Sequence, residues 1–334
     1  MSTNESPKGR QKMKQIVILS GKGGTGKTFV SASLACLAED AVFADCDVDA
    51  ANLHLLLAPE VKETHEFKGG RVAELDESAC TGCGICVEHC RFDALSMAAA
   101  PGARGAPAAP ADLGAGPAAG SSSGGPQTAV AQVDPVACEG CGVCGLVCPT
   151  DAFSFRTSDA GRWFVSDTKF GPMVHAHLFA GEENSGKLVQ EVRSNARTLG
   201  EDREKDWVVI DGPPGTGCAV MSAMTGVDMV VLVTEPTTAG IHDVKRVINV
   251  AMHFGIPVGM VINKSSINPD MAEELRTFAT EKKIRYLGDI PYDKRIVDSV
   301  ADLKPYACSF DDDIADRLKA VWGKITEFSQ DEKQ

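Results

Sequence analysis

Short apolar runs rich in valine and isoleucine recur along the chain, at residues 15–19, 41–45, 207–210, 229–233 and 258–262. Between several of them lie longer stretches of helical spacing, such as 27–39 and 241–254. Strands that are apolar throughout, alternating with helices, predict an α/β fold: a mostly parallel sheet with helices on both faces. In sheets of that kind ligands sit beyond the carboxyl ends of the strands. The pattern breaks from about residue 62 to 157. There, residues 76–97 and 134–155 align without gaps and agree at 11 of 22 positions, four of them cysteines, which marks an internal duplication. The expected organisation is one discontinuous domain of 13–61 and 158–334, interrupted at 62–157 by an α+β insertion of two half-domains. Residues 1–12 read as a flexible tail. Between the half-domains, 27 of the 32 residues of 98–129 are Ala, Gly, Pro or Ser. That composition offers no anchor for a core, so the tract is expected to be a disordered loop.

Several apolar runs end in polar clusters. After 15–19 come Gly21, Lys22, Gly23, Gly24, Thr25, Gly26, Lys27 and Thr28, the pattern G-x-x-x-x-G-K-[ST], at the start of a helical stretch. The glycines let backbone N–H groups converge on phosphate oxygens, and the helix N-terminus adds positive potential. Lys27 is expected at the β- and γ-phosphates and the Thr28 hydroxyl on Mg²⁺. Run 41–45 leads into Asp45, Asp47 and Asp49, and run 207–210 into Asp211, Gly212 and Gly215. Carboxylates at strand tips beside a phosphate loop suit Mg²⁺ or water positioning. A solvated acidic turn or a helix N-cap is the plainer account of the same residues.

Of the twelve cysteines, eight fall in two groups, Cys80, Cys83, Cys86, Cys90 and Cys138, Cys141, Cys144, Cys148; Cys36, Cys46, Cys218 and Cys308 stand isolated. The spacing within each group is that of bacterial ferredoxin ligands. Cys-x2-Cys pairs also suit zinc, but a duplicated set of four favours two [4Fe–4S] clusters. The fourth cysteine of each group is expected to open a helix pointing across the pseudo-twofold axis. Ligation then crosses between the halves, with Cys80, Cys83, Cys86 and Cys148 on one cluster and Cys138, Cys141, Cys144 and Cys90 on the other. Arg91 stands where a proline usually follows the fourth cysteine.

The stretch from Lys22 to Thr28 resembles the deviant Walker A motif of MinD, ParA, Mrp-type and nitrogenase iron-protein ATPases. The resemblance implies bound ATP or ADP with Mg²⁺, and an ATP-sandwich homodimer, or a heterodimer with a paralogue, in which Lys22 reaches the partner's nucleotide. It further implies that Asp47 orients the attacking water and that Asp211 holds a Mg²⁺-bound water. Asn263, at the end of run 258–262, resembles the family's adenine-contacting asparagine, and Pro291 its loop along the base; an Asx turn is the plainer account of Asn263. Cys218, just past Asp211, lies where the nitrogenase iron protein places a bridging-cluster cysteine, though no second such cysteine is evident here.

Charge and hydropathy narrow the partners. The net charge is −13 and no dense Lys/Arg run exists, so no nucleic-acid partner is expected. No apolar run approaches the ~18–20 residues of a membrane span, and the polar N-terminus does not resemble a signal peptide. A cytoplasmic protein with no stable membrane anchor is expected. Ile314, Leu318, Trp322, Ile325 and Phe328 recur at helical spacing between acidic flanks, a pattern of core packing rather than lipid contact. The expected function is an ATPase whose dimer switching is coupled to electron transfer through the clusters to an unidentified redox or metalloprotein partner. Mrp-like iron–sulfur or metal-cofactor delivery and a MinD-like positioning switch with redox-sensing clusters are the alternatives.

Overall fold

The computed structural model describes residues 12–99, 129–179 and 185–331; nearly all of the tail 1–12 and of the tract 98–129 lies outside them. The chain runs β1 (Lys14–Ser20), α1 (Lys27–Leu37), β2 (Ala41–Asp45), α2 (Leu53–Leu57) and β3 (Glu60–Leu75). Next come α3 (Ile85–Glu88), β4 (Leu95–Ala99), β5 (Ala129–Val133), α4 (Val143–Val147), β6 (Phe153–Thr168) and β7 (Gly171–Leu178). Then follow α5 (Ser185–Asp202), β8 (Trp207–Pro214), α6 (Cys218–Met224), β9 (Met229–Thr234), α7 (Thr238–His253) and β10 (Val258–Asn263). The last elements are α8 (Pro269–Glu281), β11 (Arg285–Ile290), α9 (Lys294–Ala301), α10 (Tyr306–Ser309) and α11 (Asp313–Asp331). They form two compact units, one of 12–67, 161–179 and 185–331, the other of 68–99 and 129–160.

The larger unit is built on a sheet ordered β11-β10-β9-β1-β8-β2-β7-β6-β3. From β11 to β7 every neighbouring pair is parallel, whereas β6 runs antiparallel to β7. Alternate residues of β1 point to opposite faces. Ile16 and Ile18 join the core beneath α1, α10 and α11, and Val17 and Leu19 on the other face are equally buried. Ile314, Leu318 and Ile325 of α11 are buried in that first core, with Trp322 and Phe328 packed against it. The core-packing expectation for this helix therefore holds. Among the described residues no helix is long and apolar enough to cross a membrane.

Helix starts follow local chemistry. Asn268 caps α8 by accepting from the Met271 N–H, with Pro269 in the first turn, and Thr237 caps α7 by accepting from the Gly240 N–H. The start of α1 has no such cap: Gly26 precedes it at φ 91°, a conformation that favours glycine. The antiparallel margin was not legible as apolar runs, because β3 is exposed at most positions and β7 carries His175 and His177 among its apolar residues.

In the smaller unit β4 pairs antiparallel with β5, around a core of Cys86, Leu95 and Ala131. The duplication repeats in the backbone. The Asp76 N–H donates to the Ala152 carbonyl and the Asp134 N–H to the Ala94 carbonyl, both at 2.8 Å. These are the same two repeat positions with the halves exchanged, so each half ties its start to the end of the other. Gly82 and Gly140, Gly84 and Gly142, and Asp93 and Asp151 share positive φ pairwise. One expectation is corrected. The fourth cysteines do not open helices, because the left-handed Gly84 and Gly142 start α3 and α4 earlier; Cys90 follows α3 and Cys148 ends α4.

Leu34 is fully buried between α1 and the sheet. Leu34→Ala should lower unfolding free energy by about 2–5 kcal/mol, seen as a lower urea midpoint with an unchanged slope.

Candidate functional site

The glycine-rich loop joins β1 to α1 and lines a cleft of about 610 Å³. Gly23, Gly24, Thr25, Gly26, Lys27 and Thr28 face it, together with Asp47, Asn52, Asn263, Lys264, Pro291 and Tyr292. Gly24 and Gly26 have φ 78° and 91°. A Cβ on Gly26 would stand 2.1 Å from the Asn263 amide nitrogen, so both φ and space require glycine there. The Asn263 amide donates to the Thr25 carbonyl at 2.7 Å, and its oxygen accepts from the Lys264 N–H at 3.0 Å. Asn263 thus holds the loop from β10, and Pro291 lies on the cleft wall beyond β11. Gly21 sits at the loop entrance, where an added Cβ would meet the backbone of Asp243.

Lys27 is buried among carboxylates. Its Nζ lies 2.8 Å from Asp211 Oδ1 and 3.2 Å from Asp47 Oδ2, and Ser31 donates to the same Asp211 oxygen at 2.7 Å. Asp211 Oδ2 is buried with no hydrogen-bond partner, as is the Thr25 hydroxyl. Asp211 lies within β8, which excludes the helix-cap account, and sheet register sets it beside Asp45. Asp45 is fully buried and accepts from the N–H groups of Asp47 and Leu53. Burial first, then the Asp211 charge, push its carboxyl up to about 8 despite Lys27. Burial lowers the Lys27 pKa, but Asp211 and Asp47 more than offset it, so the net direction is upward. Burial also raises Asp47, against the opposing pull of Lys27. Asp49 is exposed.

A second ionic cluster lies on the other side of the loop. Glu235, just past β9, meets Lys22 Nζ at 2.7 Å and Lys264 Nζ at 2.8 Å, and Lys264 also donates to the Gly24 carbonyl at 2.9 Å. Burial raises the Glu235 carboxyl, but hydrogen bonds from the two lysines outweigh it and hold the pKa below the usual range. Glu235, Lys264 and Ser31 escaped sequence reasoning. Glu235 carried a readable signal, since it ends an apolar run as Asp45 and Asp211 do.

The eight grouped thiols of the smaller unit surround two cavities. One is lined by Cys80, Cys83, Cys86 and Cys148, the other by Cys138, Cys141, Cys144 and Cys90. Among the described residues no three His, Cys, Asp or Glu converge as a single metal ion would need. Backbone N–H groups of Gly82, Ala73 and Ala152 donate toward the sulfurs of Cys80, Cys138 and Cys148 at 3.4, 3.5 and 3.3 Å. Burial raises the Cys86 and Cys144 thiols. Burial also raises Cys148, but donation from Ala152 and Thr150 brings it below its ordinary value. Cys218 is exposed at the start of α6, in the larger unit.

Residues 16–306 match the CobQ/CobB/MinD/ParA nucleotide binding domain, and the chain belongs to that family. An uncharacterized protein of Methanocaldococcus jannaschii is 28% identical over 317 residues, covering 94% of this chain and 97% of its own length. An iron-sulfur cluster carrier protein of the same organism is 32% identical over 103 residues, 27% of this chain and 36% of that protein. Among solved structures, the septum site-determining protein MinD of Pyrococcus horikoshii, complexed with Mg-ADP, has a TM-score of 0.54 at 16% identity. The match covers 95% of this chain and 97% of that one, and shows a shared fold.

The raised Asp45 carboxyl predicts a pH dependence. The folded protein keeps a proton that the unfolded chain releases above about pH 4, so stability falls as pH rises towards 8. Between pH 6 and pH 8 the loss should be on the order of 1–2 kcal/mol by urea unfolding. In Asp45→Asn most of that slope should vanish.

Proposed function

We propose that this member of the CobQ/CobB/MinD/ParA family hydrolyses ATP and uses nucleotide-driven dimer switching to gate electron transfer from two [4Fe–4S] clusters to a partner protein. The observation that carries the reading is the grouping of thiols: each cavity gathers three cysteines of one repeat and the fourth of the other. Four soft donors around a space, rather than converging on a point, suit a cubane better than zinc. Bound there, the clusters supply one-electron redox chemistry. The N–H groups of Gly82, Ala73 and Ala152, aimed at the sulfurs of Cys80, Cys138 and Cys148, would orient those sulfurs toward the clusters.

In the cleft, the loop N–H groups wrap the phosphates of ATP, and Lys27 moves from Asp211 and Asp47 onto the β- and γ-phosphates. The Thr28 hydroxyl and the unpartnered Asp211 Oδ2 suit Mg²⁺. With Asp45 protonated, Asp47 and Asp211 against the single Lys27 ammonium still leave a negative excess that a divalent cation balances. Asp47, released from Lys27, accepts a proton-side contact from the attacking water and orients it. Asn263 and Pro291 border the base. Lys22 exchanges Glu235 for the nucleotide of a second copy or a paralogue, so the active form is a dimer. The coupling runs through the chain: α2 follows the Asp45–Asp47 segment directly, and β3 leads from it into the thiol-bearing repeats. One observation favours a second reading, delivery of iron–sulfur clusters: the partial similarity to a protein named as a carrier of them.

Lys27→Ala should cut ATP turnover by on the order of 10²-fold or more, measured as phosphate release. Iron should stay at about eight atoms per chain, as two four-iron clusters require. The gating test captures a partner anaerobically in the ATP-trapped state and follows its reduction. Equal rates with ATP, ADP and the Lys27→Ala protein would remove the gated-donor reading, and transfer of labelled iron to an apo acceptor would favour delivery.

Crossed ligation has its own test. Cys148→Ser should lower iron from about eight to about four per chain. Adding Cys80→Ser should remove no more, whereas adding Cys138→Ser should take it towards zero. The reverse pattern would assign each cluster to a single repeat.

A further inference from the structure

Among the described residues the sheet ends at β3, which has β6 as its one neighbour, and residues 60–67 of β3 belong to the larger unit. A strand in that place offers a row of backbone N–H and C=O groups at its outer side. Residues 60–64 and 66 are exposed, among them the apolar Val61 at 47%. Four strands separate β3 from β1, at whose end the glycine-rich loop stands, so this edge is not the surface that Lys22 would use. Charges on an edge ordinarily keep other strands away. Here their order favours one partner, a second copy of the same strand. From Glu60 to Lys68 the charge signs invert about Thr64. Antiparallel pairing centred on Thr64 sets Glu60 opposite Lys68, Val61 opposite Phe67, Lys62 opposite Glu66 and Glu63 opposite His65. About a twofold axis each of these pairs occurs twice. Moving the centre to Glu63 sets Glu60 against Glu66, and moving it to His65 sets Lys62 against Lys68.

We infer that the edge of β3 is an interface for a second copy of this chain, joined antiparallel about Thr64 into one continuous sheet. Main-chain bonds across the axis supply affinity, and cross-strand charge pairs select the register. Residues directly opposite in such a pair share a face. Glu60, Lys62, Thr64, Glu66 and Lys68 therefore form one ladder whose charges meet opposite charges across the seam. Contacts already present leave that ladder intact. Lys62 Nζ meets Glu60 Oε1 at 2.6 Å on its own strand, and an ammonium has three donors, so it keeps that contact while meeting Glu66 of the second copy. Lys68 pairs with Asp159 of β6. On the other face His65 stacks on Trp163 of β6, ring centroids 3.9 Å apart, with its Nε2 3.1 Å from Glu63 Oε2. Side chains held in place beforehand lose less freedom on association. Residues 60–68 hold three glutamates, two lysines and a histidine, so the seam adds little to the repulsion between two chains of net charge −13. Association through β3 requires neither the nucleotide nor the clusters.

The test is sedimentation velocity on the full-length protein, purified anaerobically and free of nucleotide, across a concentration series. Without nucleotide the dimer of the proposed function does not form, so the two interfaces are read separately. The wild type should pass from monomer to dimer, and added salt should weaken the dimer. Lys62→Glu places like charges opposite each other twice across the seam, and Glu66→Lys does the same with the opposite sign. Each alone should weaken the dimer about tenfold or more. An equal mixture of the two variants should associate as the wild type does, because each then supplies the charge that the other lacks. Recovery on mixing also shows that both variants fold. Monomers at every concentration in low salt would overturn the inference, and so would a dimer that neither variant weakens. A mixture no better than its components, each with wild-type circular dichroism, overturns it as well. If either variant misfolds, Thr64→Lys takes its place: it sets two ammonium groups together on the axis, and an undiminished dimer there sinks the proposal.

Discussion

One buried ammonium governs the centre of the larger unit. Lys27 is 6% exposed, and the carboxylates around it come from the ends of adjacent strands whose register sets Asp45 beside Asp211. Two neighbouring acids without solvent repel each other strongly. Lys27 offsets much of that repulsion, and a proton on Asp45 relieves more of it. Removing one partner of such a cluster leaves an uncompensated buried charge, which costs about 3–5 kcal/mol. The parallel sheet therefore does more than support the glycine-rich loop. Its strand order, β1 between β8 and β9 with β2 next to β8, fixes the electrostatics of the cleft before any ligand enters.

The smaller unit solves a different problem with the same economy of backbone. A unit whose buried cluster is only Cys86, Leu95 and Ala131 has little apolar area with which to fold. The exchanged bonds from Asp76 to Ala152 and from Asp134 to Ala94 hold the halves together at equivalent points. Left-handed glycines at matching positions turn the loops so that their cysteines face inward. The two cavities then draw thiols from both halves, and under the proposed function the clusters themselves become cross-links between the repeats.

Much of this was legible in the sequence because it rests on local rules. Strands buried on both faces read as apolar runs, and the loop glycines, strand-end aspartates and cysteine spacing each carry a short-range signature. The α/β fold and its mostly parallel sheet followed. What escaped was set by long-range context. β3 and β7 lack a uniform apolar pattern, one through exposure and the other through its histidines. The fourth cysteines end helices or follow them instead of opening them, because helix starts here obey glycine φ rather than side-chain caps. Lys264 and Glu235 meet only because β9 and β10 are neighbours.

The cluster around Glu235 bears on how Lys22 would change partners. In this structure Lys22 and Lys264 share one carboxylate, one oxygen each. Glu235 is 8% exposed, so stripping it of all positive charge would be costly. Departure of Lys22 alone leaves Lys264 in place on Oε2, still tied to the Gly24 carbonyl. Lys22 is a third exposed at its side chain, and an ion pair that near solvent contributes little. Under the proposed function Lys22 leaves its own subunit to reach another's nucleotide, and it is held weakly, on a carboxylate that keeps a second cation when it goes. Lys27 is the opposite case: it is deeply buried among acids, and only a ligand that brings its own charge into the cleft draws it away.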